Sequence, residues 1–493
     1  MTLEGRIREM WNDFRTLSAA VSVQQGINAK RAYIESRQSM IDDMIVDAIK
    51  NASPLEAFAL LDGVKSLVGR ELLLRNRTSP DGHTDIVFHG VHPKDVSYLI
   101  ASDPGTCAIS FYQSPDHDFW ALMTYIDNGK IKAETILIAS NDTGHEVYRQ
   151  LVSLSRSQLW RIPAETEKTV VPLLFLFGNE LIPRLERMRE ECRIILIPHK
   201  WLHLLPLHLM MARYGDTVVF LDLVASAVTY ASSITCFEWG GKPRFRPFKN
   251  GQAEQSHLPK PDLKVLLACV DVDNLGAGAQ MEIDNYTHTL YDSPEKRDIV
   301  TDASSIPIDM SPYLIFIWSS HGRSDPTSWK NSALQFGDRA FTAMNIIEEW
   351  NLSNALVGIL SACETGVDYS IDGALDEYSG LDMALHIAGA SSVLSTMWRV
   401  EDRLAAFVAC SLFEGALQGH RPSEFLRLIR YMLITGRWYD MIEKNYSQDK
   451  VDISLPADKR ARRMRNLEGW LSIPKDAFAH ISSWGVFRCF GRW

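Results

Sequence analysis

The stretch VGILSACETG, Val357–Gly366, sets the reading of the chain. Uncharged residues run up to Cys363, and a polar, glycine-ended turn follows at once. A short apolar run bounded by turn residues is the pattern of a strand buried on both faces. Cys363 is then either a small core residue or a thiol presented at a strand end for chemistry, and its neighbours bear on the choice. Three further runs of the same kind flank it: LKVLLACVD (Leu263–Asp271), YLIFIW (Tyr313–Trp318) and SSVLSTMW (Ser391–Trp398). Helical segments separate them, one of them running from Ser379 to near Gly389. Near-continuous apolar strands alternating with helices predict an α/β unit with a mostly parallel sheet covered on both faces.

YLIFIW leads directly into Ser-Ser-His321-Gly322. Right-handed parallel crossovers put the C-terminal ends of neighbouring strands on one edge of a sheet, where open α/β sheets build their sites. His321 and Cys363, 42 residues apart (363 − 321), are therefore expected on one surface. An imidazole beside a thiol can take its proton and leave a thiolate nucleophile. Gly322 allows close substrate approach, and the backbone N–H groups of Gly322 and Cys363 could face a developing oxyanion. Taken singly, each side chain reads more simply as structural. Taken together, on adjacent strands with glycine in both turns, they point to catalysis.

The first part of the chain is different in character. SPLE, Ser53–Glu56, is a capping box with proline at the first helical position, and Leu55, Phe58, Leu61, Val64 and Leu67 follow at helical spacing. Residues 76–85 form a turn-rich boundary. From about Val96 the runs CAISFYQ, FWALMTYI and ETILIAS have strand character; a helical stretch from Gly144, the apolar VVPLLFLFG and then RIILIP complete a second α/β pattern. Lys242–Asp262, rich in proline and lysine, reads as a linker. Val218–Phe237 is too interrupted for a membrane span and reads as buried structure. The basic run KRARRMR, Lys459–Arg465, reads as a solvated helix face.

Composition excludes several classes. With 46% apolar and 23% charged residues the chain is an ordinary folded protein, and its 493 residues predict two or three domains. A net charge of −10 argues against nucleic acid as the main partner. The seven cysteines are scattered, with neither CxxC spacing nor a Cys/His cluster, so no disulfide framework or metal site is expected. The N-terminus lacks the apolar core of a signal peptide, and the expected location is the cytoplasm. Cys269 and Cys410 read as core. His199, His203 and His208 read as residues around a packed turn. Gly276-Ala-Gly278 lacks the third glycine of a dinucleotide loop, which favours a plain turn.

Five blocks in order resemble the CHAT family of caspase-like cysteine peptidases, relatives of caspases, gingipains and separase. IWSSHG resembles the family's histidine strand and ILSACETG its cysteine strand. Gly380–Asp402 resembles the helix–strand–Trp-x-Val-x-Asp segment after the nucleophile. Ile195–Met210 resembles a block of the non-catalytic half, and His480–Trp493 the closing strand. The resemblance implies a caspase-like α/β fold with an N-terminal helical segment (1–85), an inactive pseudo-caspase half (86–250) and an active half (251–493) carrying the dyad His321 and Cys363. It implies a cysteine endopeptidase without metal or cofactor. The enzyme would cleave a protein partner as a regulated effector in bacterial defence or cell death, under an activating protein or complex and without direct nucleic-acid or membrane binding. No 34-residue repeat is detectable ahead of it.

Candidate substrate-pocket residues are Asp368, Asp372, Asp376 and Glu377 in the loop after the nucleophile, Arg399, where separase-like relatives carry an acidic residue, and Asp402. The polar loop Thr365–Gly380 is expected to be ordered by an activating partner. Two alternatives stay open: a catalytically silent interaction or sensor module of the same fold, and a thiol-dependent acyl transferase using the same dyad.

Overall fold

The structure is a computed structural model. It describes residues 3–23, 26–65, 96–97, 100–101, 103, 105–157, 163–188, 192–239, 264–269, 277–290, 296–325, 328–366, 380–451 and 457–492. The chain folds as two compact units, residues 1–242 with 490–492 and residues 243–367 with 380–489.

In the first unit, helices α1 (Leu3–Val23), α2 (Gly26–Glu35), α3 (Gln38–Asn51) and α4 (Pro54–Val64) come first. The capping box forms as the sequence predicts: Ser53 Oγ accepts from the Glu56 N–H, and the Glu56 carboxylate accepts from the Ser53 N–H. This satisfies two backbone donors that a helix start otherwise leaves open. The expected continuation through Leu67 lies outside the described residues. Near the end of α4, the fully buried Asp62 accepts hydrogen bonds from the Ile234 N–H (2.5 Å) and the Thr235 hydroxyl (2.9 Å). The Lys65 ammonium donates to the Pro198 carbonyl (2.5 Å). The N-terminal helices are thus bonded into the first unit through buried polar groups.

Strands β1 (Thr106–Gln113), β2 (Phe119–Asp127) and β3 (Lys130–Ala139) form an antiparallel meander. Helices α5 (Asn141–Ser157) and α6 (Pro163–Leu185) lead to β4 (Arg193–Ile197), the hairpin β5 (Met211–Tyr214) and β6 (Thr217–Phe220), and β7 (Ala227–Tyr230). The order is β3-β2-β1-β4-β7, with β1, β4 and β7 parallel. VVPLLFLFG lies inside α6, which carries Pro172 within it. Between β4 and β5 the three histidines are buried around a packed turn, as expected, His203 and His208 within 3₁₀ turns and His199 just before the first of them. His199 Nδ1 accepts from the Gln113 N–H (3.0 Å), and His208 Nδ1 pairs with the Tyr230 hydroxyl (2.8 Å).

The second unit begins with β8 (Lys264–Cys269), α7 (Ala277–Thr289), β9 (Arg297–Val300) and β10 (Tyr313–Ser319). A small antiparallel sheet follows, β11 (His321–Arg323), β12 (Ala333–Phe336) and β13 (Arg339–Thr342). Then come α8 (Ala343–Glu349), β14 (Val357–Ser361), α9 (Leu381–Ile387), β15 (Ser392–Thr396), α10 (Asp402–Leu417), α11 (Pro422–Thr435), α12 (Arg437–Val451), α13 (Ala457–Leu471) and β16 (Phe487–Gly491). The order is β16-β15-β14-β10-β8-β9, with β15, β14, β10, β8 and β9 mutually parallel. From β8 the chain adds β9 on one side and then β10, β14 and β15 on the other, so connections diverge at the β8–β10 boundary. Such a switch point opens a crevice at the strand C-termini. The segment 459–465 is helical, within α13.

Among the described residues no helix is long and apolar enough to cross a membrane, and no group of three His, Cys, Asp or Glu is placed to hold a metal ion.

The buried Trp318 of β10 gathers Phe336 (centroids 5.1 Å), Phe341 (5.6 Å), Trp350 (5.9 Å) and Phe316 (5.9 Å). This cluster holds the small sheet, and with it the chain after Ser319, against the main sheet. Truncating a buried tryptophan removes its transfer energy and leaves a cavity. Trp318→Ala is therefore expected to lower unfolding free energy by about 3–5 kcal/mol in denaturant titration, and a loss below about 1 kcal/mol would contradict this account of the packing.

Candidate functional site

β10 and β14 pair in unbroken parallel register from Ile315↔Val357 to Ser319↔Ser361, a constant offset of 42. His321 and Cys363 each lie two residues beyond the last of these pairs and keep the same offset. Adjacent strands thus bring the two positions towards the same edge of the sheet. His321 is exposed and opens β11, opposite Gln335. It is therefore strand-anchored rather than carried on a free loop. Cys363 opens a tight turn and is partly exposed; the other six cysteines are buried.

The turn is fixed by hydroxyl groups. The Ala362 carbonyl accepts from both Thr396 Oγ1 (2.7 Å) and Thr365 Oγ1 (3.3 Å), while Thr365 Oγ1 accepts from the Thr396 N–H (3.1 Å). The Gly366 N–H donates to the Thr396 carbonyl (2.7 Å). Glu364, directly after the nucleophile candidate, has φ +57°, a left-handed conformation costly for a residue with a Cβ. Two glycines are required by close approach. A Cβ on Gly322 would lie 2.3 Å from the Cys363 carbonyl oxygen and 2.6 Å from Thr365 Cγ2. One on Gly366 would lie 2.5 Å from Ser395 Oγ and 2.8 Å from Arg488 Nε. The His-Gly and Cys turns are therefore in contact through backbone, which only glycine at 322 permits.

Burial pushes the Cys363 thiol up from its ordinary value; the carboxylates of Glu364 and Asp402 push the same way, and the Arg399 guanidinium opposes them. Sγ contacts the Val400 carbonyl oxygen at 3.9 Å and is not hydrogen-bonded to the imidazole. A thiol in this state is protonated at neutral pH and needs a base to become nucleophilic. Of the pocket candidates, Arg399 is largely exposed and pairs with the buried Glu364 at 3.6 Å, and Asp402 is exposed at the first turn of α10. Asp368, Asp372, Asp376 and Glu377 lie outside the described residues, as does most of the loop expected to be ordered by a partner.

Several site residues escaped the sequence reading. Thr365 and Thr396 brace the turn, and Asp382 and Arg488 form a buried pair under Gly366. On α7, Glu282 accepts a hydrogen bond from Ser361 Oγ (2.5 Å). The available signal was polarity out of place: Arg488 in FRCFG, Asp382 in LDMALHI, and serine at the end of two apolar strands.

The first unit repeats the geometry with different residues. β1 and β4 pair in parallel at a constant offset of 87 up to Ser110↔Ile197. Two residues beyond that pair stand Tyr112 and His199, both buried, with ring centroids 4.8 Å apart. Lys200 follows with φ +48°, as Glu364 follows Cys363.

Comparison by sequence with curated proteins returns no match. Among solved structures, the chain is similar to separase in the Saccharomyces cerevisiae separase–securin complex. One structure of that complex has TM-score 0.54 and 10% identity over 99% of this chain and 37% of separase, a second TM-score 0.48 and 9% identity over 99% and 40%. The chain thus spans well under half of the separase chain. A complex of the pro- and mature domains of Porphyromonas gingivalis RgpB matches at TM-score 0.33, with 9% identity over 70% of this chain and 75% of that one. The family model described as "CHAT domain" matches residues 173–492. With that match covering well over half of its length, the chain belongs to the CHAT-domain family, and its α/β fold is caspase-like.

Proposed function

We propose that this protein is a cysteine endopeptidase whose dyad is His321 and Cys363. The observation that carries the reading is the common offset: two parallel strands end in a histidine and a partly exposed cysteine at equivalent positions, with Gly322 packed on the Cys363 carbonyl. Family membership in a caspase-like fold supports it. In the reaction His321 takes the Sγ proton, and the thiolate adds to the scissile carbonyl carbon. The resulting oxyanion is met by the backbone N–H groups of Gly322 and Cys363. Collapse breaks the C–N bond, the imidazolium protonates the leaving amine, and water then hydrolyses the thioester with His321 as base. Because burial and two carboxylates hold the thiol protonated, the reading includes a resting state that a protein partner or the substrate itself converts to the reactive one.

The substrate class in this reading is a protein, with Arg399, Asp402 and the acidic residues after the nucleophile forming the pocket. Residues 1–85 serve as a helical segment, 86–250 as the inactive half and 251–493 as the active half. The inactive half fits Tyr112 and His199, which cannot supply a thiol. By analogy with the family the setting is regulated cleavage in a cytoplasmic bacterial defence or cell-death response.

A fluorogenic peptide pool, and candidate protein partners co-expressed with the chain, test the reading. Cys363→Ala should abolish cleavage. His321→Ala should lower it by about 10²–10⁴-fold, the usual contribution of a general base. Since His321 is exposed and Cys363 lies at a turn, both variants should keep wild-type melting within the narrow range of surface substitutions. Cleavage by Cys363→Ala at the wild-type rate would refute the mechanism. Labelling of no particular thiol by a peptide-like electrophile, with no cleavage of any partner, would favour the silent interaction module.

Gly322→Ala forces the His-Gly turn away from the Cys turn. Turnover should fall by about a hundredfold, the scale of a 1 Å misplacement of reacting groups. Unchanged kinetics in this variant would show that the contact is not needed for catalysis.

A further inference from the structure

Glu282 is the feature of the second unit that the mechanism leaves unused. It sits on α7 and is 1% exposed. Its Oε1 accepts from Ser361 Oγ, and the Ser319 hydroxyl lies beside the same carboxyl. Ser319 and Ser361 are the last in-register pair of β10 and β14. Each stands two residues before a dyad member. Oε2 is buried without a hydrogen-bond partner among the described residues.

We propose that the Glu282 carboxyl is a positioning group for the His321–Cys363 pair: it bridges the hydroxyls at the two strand ends and so fixes their spacing. The inference rests on the dyad reading above. Two observations support it beyond the hydrogen bond. A carboxyl in an apolar layer is costly, and an aliphatic side chain there would pack without that cost. The start of α7 is also pressed against the start of α10: a Cβ on Gly278 would lie 2.5 Å from the Asp402 carbonyl oxygen. α10 begins just after Val400, whose carbonyl contacts the Cys363 thiol. One helix thus abuts both the strand ends below the dyad and the segment beside the nucleophile.

The titratable groups around the carboxyl are Cys269 at the end of β8, Tyr286 on α7, and Asp402 and Cys410 on α10, with Glu414 beyond Cys410. None is a cation. Burial pushes Glu282 up to about 7; the Ser319 and Ser361 hydroxyls pull it down and Asp402 pushes it up. A carboxyl raised above its unfolded value stabilises the fold fully below the ordinary carboxylate range, and that contribution is lost as pH rises through about 7.

The test reads alkylation of Cys363 by iodoacetamide, followed by mass spectrometry on the full chain, and needs no known substrate. His321→Ala calibrates the assay by showing how much of the rate depends on the imidazole. Glu282→Ala should slow the reaction at least about tenfold, Ser361→Ala should slow it in the same direction, and Glu282→Gln, which keeps the acceptor oxygen and the shape, should restore it. Wild-type rates in both Glu282→Ala and Ser361→Ala, or a Glu282→Gln rate no faster than that of Glu282→Ala, overturn the positioning role. If His321→Ala is slow in the same experiment, the dyad stands without it. If His321→Ala reacts at the wild-type rate, the dyad itself fails and the positioning role falls with it. Should Glu282→Ala not fold, Ser361→Ala carries the comparison alone.

Discussion

The ion pair between Asp382 and Arg488 is the constraint on which the site depends. Asp382 Oδ2 accepts from Arg488 Nε at 3.1 Å and Nη2 at 2.7 Å, and from Ser395 Oγ at 2.8 Å. The side chains are 0% and 1% exposed. An ion pair so enclosed contributes little net stability over an apolar replacement, yet losing one partner costs about 3–5 kcal/mol because the other charge is left buried. What the pair adds is specificity. It ties α9, β15 and β16 to one point, and Gly366 lies against that point with no room for a Cβ. The end of the Cys363 turn is thereby located by a buried charge pair.

From that anchor the rest of the site follows by backbone geometry. Thr396, next to Ser395 on β15, bonds Ala362, Thr365 and Gly366. The turn held by these bonds presents Cys363 beside Gly322, and the register of β10 with β14 does the remainder. Few long, flexible side chains take part. Under the proposed mechanism, a thiol carried by hydroxyl-braced backbone would lose little entropy on reaching its reactive place, and this fits a site whose thiol is otherwise set up to rest protonated.

Much of the architecture was legible because buried parallel strands write themselves as unbroken apolar runs. β10, β14 and β15 stood out in this way, and the residues directly after them named the candidate pair. The capping box at Ser53 was equally plain, since its chemistry is local. The bracing was not legible. Asp382 and Arg488 are 106 residues apart, and nothing in either segment announces a partner so distant. Glu282 sits in AGAQMEIDNY, where a charged residue reads as a solvated helix position; only the three-dimensional placement of α7 against Ser361 shows that it is buried. Periodicity reports which face is apolar, and a single acid within the apolar face is lost in that average.

Tyr112 and His199 limit what the first unit can tolerate at its strand ends. They occupy in the first unit the places that His321 and Cys363 occupy in the second, but there they carry structure. The Tyr112 hydroxyl bonds the Asp42 carboxylate of α3 at 3.0 Å, and His199 accepts from the backbone at Gln113. Asp42 in turn faces Lys200 at 3.7 Å. A drift of these positions towards a histidine and a cysteine would strip the N-terminal helices of buried partners before any chemistry could emerge. These two strand ends are thus committed to bearing load, and a change of residue type there is paid first in the seating of the N-terminal helices.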